Sequence, residues 1–123
     1  TPFSRVAFLY LADAADALGD PMDARAWLMR FDALEGDSVA PDVRLARTRR
    51  LGGLAVQVGD YPDALARLEP LLAAAPNDTV MLCWIAESRW HTGDAAGARR
   101  ALQDAAAIAP RDPAVRRLRQ IIR

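Results

Sequence analysis

The dipeptide Gly-Asp occurs at Gly19-Asp20, Gly59-Asp60 and Gly93-Asp94, at spacings of 40 and 34 residues. Around it the same columns recur. Five residues after each glycine stands an alanine (Ala24, Ala64, Ala98), and nine after it a leucine (Leu28, Leu68, Leu102). Seven before it stands a small residue (Ala12, Gly52, Ala86), itself preceded by a branched aliphatic (Leu11, Leu51, Ile85). The last two units also carry a proline seventeen residues after the glycine, at Pro76 and Pro110. A fixed period of this length is the mark of a repeat architecture in which each unit buries its apolar face against its neighbours.

The columns have a physical reading. Glycine adopts the left-handed conformation that closes a helix C-terminus, and the aspartate after it accepts backbone N–H bonds from the next helix. The unit is therefore a tight helical hairpin. Pro21 and Pro62 fall in the first turn, where a missing N–H does no harm. The small residues let paired helices approach closely, and the leucines fill the space beside that contact. This reading predicts helices at about 4–18, 21–35, 42–58, 62–75, 79–92, 95–108 and 113–123. Pro76 and Pro110 are expected to end the second helices. The stretch 36–41 is six extra residues, read as a longer loop between hairpins. No strand pattern competes, and runs such as 73–75 and 105–107, all alanine, have high helix propensity.

Composition narrows the function. All sixteen basic residues are arginine and alanine is about a fifth of the chain, a bias that points to a GC-rich, bacterial genome. Sixteen acidic residues balance the arginines, so the overall field does not favour nucleic acid or an anionic membrane. The terminal arginines Arg111, Arg116, Arg117, Arg119 and Arg123 have no aromatic residues interleaved for base stacking, and no nucleic-acid partner is expected. No apolar run approaches the roughly 20 residues of a membrane span. The opening residues show no signal-peptide pattern, and the compartment, bacterial cytoplasm or periplasm, stays open. The lone Cys83 has no ligand set around it, so neither a metal nor another cofactor is expected. Cys83 and His91 are the candidates for nucleophile and base, but they lie two turns, about 12 Å, apart on one helix. Glu87 stands between them, yet no oxyanion loop or phosphate cradle accompanies the row, so no enzyme is expected.

The second unit, with Leu51-Gly52, Gly59-Asp60-Tyr61, Ala64, Leu68 and Pro76, resembles the tetratricopeptide repeat family, and the third repeats the pattern with Ile85-Ala86, Gly93-Asp94, Ala98, Leu102 and Pro110. The first unit fits through its turn, but its terminal proline is displaced to Pro41. The resemblance implies an all-α, right-handed superhelical array: one domain over 1–123, with repeats at about 5–41, 45–78 and 79–112 and a capping or truncated helix at 113–123. It also implies that first helices line a concave groove, and the groove residues expected are Tyr10, Asp13, Arg49, Arg50, Gln57, Trp84, Glu87 and His91. Tyr10 and Trp84 would be apolar anchors, with Arg49, Arg50 and Asp13 selecting for charge. One class in the family grips a C-terminal carboxylate with lysine and asparagine at set places. Here those places hold Leu9, Asp13, Arg50, Val80 and Trp84, so that clamp is absent.

The expected role is a protein or peptide interaction module. The alternative is a structural segment of a larger bacterial envelope machine, such as exopolysaccharide or pilus secretion, which the start without Met and the unpaired last helix favour. The apolar residues Val115, Leu118, Ile121 and Ile122 of that helix are read as a face on which a second copy would pair.

Overall fold

The computed structural model describes residues 2–35 and 39–123, which form seven helices and no strand. They are α1 (Pro2–Ala17), α2 (Pro21–Glu35), α3 (Pro41–Val58), α4 (Tyr61–Leu72), α5 (Thr79–His91), α6 (Ala95–Ile108) and α7 (Pro113–Ile121). Consecutive helices pack as neighbours throughout, and α5 also meets α3 and α7, which makes an array of hairpins with α7 packed on the last of them. Gly36, Asp37 and Ser38, the centre of the expected loop, lie outside the described residues.

The turns are built as their residues require. Gly19, Gly59 and Gly93 have φ of 73°, 81° and 90°. The amide of each following aspartate bonds back to the carbonyl five residues earlier, at 2.9 Å from Asp20 to Ala15, 2.8 Å from Asp60 to Ala55 and 2.9 Å from Asp94 to Arg89. This is the Schellman closure, which gives terminal carbonyls a donor. Each aspartate side chain then accepts the N–H three residues on: Asp23 at 3.1 Å, Asp63 at 3.3 Å and Gly97 at 2.9 Å. Asp78 caps α5 in the same way, through Met81 N–H at 3.1 Å, and Asp112 caps α7 through the N–H two residues on, Ala114, at 2.8 Å.

One boundary departs from expectation. Helix α4 ends at Leu72, three residues short of the expected end and just before the alanine run, and its prolines explain why. Ala75 precedes Pro76, which disfavours the helical region for it, and Pro70 inside the helix has no N–H to give. Leu71 O accepts from both Ala74 and Ala75 at 3.2 Å, so the chain leaves α4 through a tightened turn. Helix propensity loses here to the steric demand of a proline.

The core forms two clusters. In the smaller, Ala12, Ala15, Ala24 and Leu28 of the first hairpin meet Leu51 and Leu54 of α3. Trp27 is half-buried beside it and stacks on Phe8 at 5.6 Å. The larger runs from Ala55 to Ile122 and includes Leu68, Met81, Leu82, Ile85, Leu102 and Leu118. The small-residue column works as close approach: a Cβ on Gly52 would lie 2.5 Å from Leu68 Cγ, while Leu68 is fully buried. Helix α7 corrects the sequence reading. Val115 and Leu118 are fully buried and Ile122 is 5 % exposed, so the face offered to a second copy is packed inside this chain, and only Ile121 remains open. A free amphipathic helix folds back on the nearest apolar surface, here α5 and α6.

Ion pairs tie adjacent hairpins together. Arg25 reaches Asp60 at 2.6 Å and Asp63 at 2.8 Å, and Arg67 holds Asp63 at 2.9 Å. The Arg25 hydrogen bond, then the Asp63 amide, keep the Asp60 carboxyl below its usual range, and the Arg49 hydrogen bond does the same for Asp78. A carboxyl lowered in the folded state adds stability above its unfolded pKa, near 4, and loses it as pH falls through the folded value. We expect Asp78→Asn, which keeps a capping side chain, to be less stable than wild type at pH 7. The gap in melting temperature should close below about pH 4, and a constant gap would remove the charge from the explanation.

Candidate partner-binding groove

Helices α3, α5 and α7 and the start of α4 enclose an open cleft of about 360 Å³. Val56 and Gln57 come from the end of α3, Tyr61 from the start of α4, Val80, Cys83, Trp84 and Glu87 from α5, and Ala114 and Arg117 from α7, with Asp112 from the turn before it. The α5 residues share one face because 80, 83, 84 and 87 follow the three-and-four spacing of a helix.

The Trp84 ring is fixed from two sides. A Cβ on Gly53 would lie 2.5 Å from Trp84 Cη2, so the indole lies directly against the α3 backbone where a side chain would otherwise stand. The Arg49 guanidinium lies 5.1 Å from the Trp84 ring centroid, within cation–π range. Arg49 is itself held by a two-pronged bond to Asp78, at 2.7 and 3.0 Å. Trp84 therefore presents a rigid, half-buried edge to the cleft.

The charges around this face are paired within the chain. Arg50 binds Asp13 at 2.8 Å and Asp16 at 2.9 Å, which ties α3 to α1. Arg117 donates to Glu87 at 3.1 Å across the cleft. Arg47 pairs with Glu35 and lies 3.8 Å from Asp32. The Arg49 bond to Asp78 is the fourth such link. The arginine-rich start of α3 is thus a set of braces between helices.

The expected groove residues divide accordingly. Gln57, Trp84 and Glu87 line the cleft together. Arg49 sits behind Trp84, and Asp13 and Arg50 form a brace to one side. Tyr10 is 69 % exposed on α1 and does not reach the cleft. His91 stacks on Tyr61 with ring centroids 4.3 Å apart and does not line the cleft. Sequence reasoning missed Tyr61, whose signal was its place directly after the Gly-Asp turn, and Asp112, whose signal was the proline following it.

The row Cys83, Glu87 and His91 is not assembled for chemistry. Burial, reinforced by Asp112, pushes the Cys83 thiol up to about 11, and a buried neutral thiol is a poor nucleophile. Glu87 faces Arg117 and His91 faces Tyr61. Burial, with Glu87 nearby, also raises Tyr61 and keeps its phenol neutral. Among the described residues no three His, Cys, Asp or Glu stand close enough to hold a metal ion, and no helix is long and apolar enough to cross a membrane.

No curated protein is similar enough to match the chain. The family model of the tetratricopeptide repeat matches residues 55–122, more than half of its length and the whole of the cleft. With hairpin turns and small-residue contacts of that kind, the chain belongs to the tetratricopeptide repeat family.

Proposed function

We propose that the chain is a non-catalytic module that docks an apolar segment or helix of a protein partner in the cleft between α3, α5 and α7. Tetratricopeptide repeats are in general protein-interaction modules, and that general role extends to this chain. The observation that carries the finer reading is the cleft itself, whose walls are Trp84, Tyr61, Val56 and Val80 with Cys83 buried among them. Rigid aromatic rings on a concave face are where binding energy concentrates, since they give contact area with little ordering cost. The cleft volume is that of an ordinary ligand pocket and accepts one or two large side chains.

The paired charges sharpen the sequence expectation. The sequence suggests Arg49, Arg50 and Asp13 as selectors for charge, but each has its counter-ion within 3 Å in the chain. A partner would have to break those pairs to use them. Recognition by apolar contact fits the face better, since Glu87 and Arg117 in the lining are paired with each other, and its affinity should depend little on salt.

The test uses Val80, which is 48 % exposed and lines the cleft, so its replacement leaves the fold intact. A photo-crosslinking residue at Gln57 should trap a protein in extracts of the source organism, and the same residue at Asp104 on α6 should not. The trapped segment, made as a peptide, should lose at least tenfold in affinity against Val80→Arg and change little with ionic strength. Equal trapping at both positions, or binding unaffected by Val80→Arg, would remove the cleft from the function.

A further inference from the structure

The cleft between α3, α5 and α7 carries more negative charge than positive. Its lining holds two carboxylates, Glu87 and Asp112, against one guanidinium, Arg117. The Glu87 side chain is 18 % exposed and shares its charge with Arg117, which is 53 % exposed and so half in water. Asp112 has no such partner. One of its oxygens accepts the Ala114 N–H, and the other has neither hydrogen bond nor ion pair among the described residues. The other half-buried capping aspartates, Asp60 and Asp78, each receive an arginine from a different helix, Arg25 and Arg49. Asp20 and Asp94, which also lack an arginine, are exposed and have water instead. Asp112 is therefore the one half-buried cap without a cation, and it stands in the cleft wall. Two other wall groups register the field. After burial, Asp112 is the largest influence on the Cys83 thiol and raises it, ahead of Arg117, which lowers it, and Glu87 raises it further. At the Tyr61 phenol, again after burial, Glu87 outweighs Arg117.

We propose, resting on the docking role given above, that the partner segment inserts a basic side chain into this cleft, its cation paired with Asp112 and its stem against Trp84 and Tyr61. An arginine or lysine satisfies both halves of the site, since its methylene stem covers apolar surface and its head carries the charge. The cleft, of about 360 Å³, holds such a side chain with an apolar neighbour. A wholly apolar segment would cover Asp112 and leave its charge dry and unpaired, which is costly. An acidic segment would meet the negative lining, and Arg117 would have to leave Glu87 to receive it. The single new pair forms inside the cleft, where it is screened less than a surface pair, so the weak salt dependence expected of the apolar contact is kept.

Selection of random peptides displayed on phage, with the full chain as bait, reads the preference directly. Wild type should enrich peptides with an arginine or lysine beside apolar residues, and Asp112→Asn should lose that enrichment. Asparagine caps a helix as well as aspartate does, so α7 keeps its start in this variant. The best peptide should weaken about tenfold on wild type when its basic residue is replaced by a neutral one of the same length, citrulline for arginine or norleucine for lysine. The same replacement should have no effect on binding to Asp112→Asn. Basic peptides that bind Asp112→Asn as tightly as wild type overturn the proposal, as does enrichment of acidic residues. Wholly apolar peptides that weaken against Val80→Arg also overturn it, but they leave the docking role of the cleft standing. Peptides indifferent to Val80→Arg, or no peptides at all, remove the cleft from the function and the basic side chain with it.

Discussion

Gly52→Val should destabilise the fold by about 3 kcal/mol, in the range for forcing extra atoms into a packed core. The reason is local to one helix pair. A side chain at 52 would meet Leu68 within van der Waals contact, and Leu68, fully buried between α3 and α4, has no open space to turn into. Glycine costs the helix up to about 1 kcal/mol in propensity, so only the close approach explains its fitness there. The partner position gives the complementary result. Leu68→Ala should cost about 2–5 kcal/mol through lost burial and the cavity left behind. Combining it with Gly52→Ala should cost less than the sum of the two, because the new methyl enters the space the leucine left. A double-mutant cycle by urea unfolding measures this, and additive effects would mean that the two residues do not meet.

Leu118→Ala is the second large expectation, a loss of about 2–5 kcal/mol for a side chain with no exposed surface. Ile121→Arg, one turn on, should change stability by less than about 0.5 kcal/mol, as an exposed position does. The contrast decides what α7 is for. If its apolar face were held for a second copy, the two substitutions would act alike on the melting temperature of the monomer. With Val115, Leu118 and Ile122 inside the larger core, α7 covers the end of that core, and its loss exposes α5 and α6 to water. Hydrogen exchange should then open α6 first in Leu118→Ala.

The hairpin turns were legible residue by residue. Gly-Asp has one local solution at a helix end, a left-handed glycine and a capping carboxylate, and the three turns take it because nothing distant competes. The end of α4 was less legible, since propensity favoured the alanines while proline sterics act over only one or two residues. The candidate site was half legible. Spacing placed Trp84 and Glu87 on one face of α5 with Gln57 opposite, but it did not tell that Arg49 would lie over the indole or that Arg50 would reach back to α1.

The sequence by itself therefore determined the helices, the turns and the family, because each rests on interactions within a few residues or on a fixed period of them. The tertiary structure decided which charges are free and which apolar faces are covered. Arg49 and Asp78 are 29 residues apart, Arg50 and Asp16 are 34 apart, and no local rule pairs them. The face of α7 is covered for the same reason: burial depends on what the array brings alongside a helix, here α5 and α6, and the stripe of apolar residues does not by itself name that neighbour.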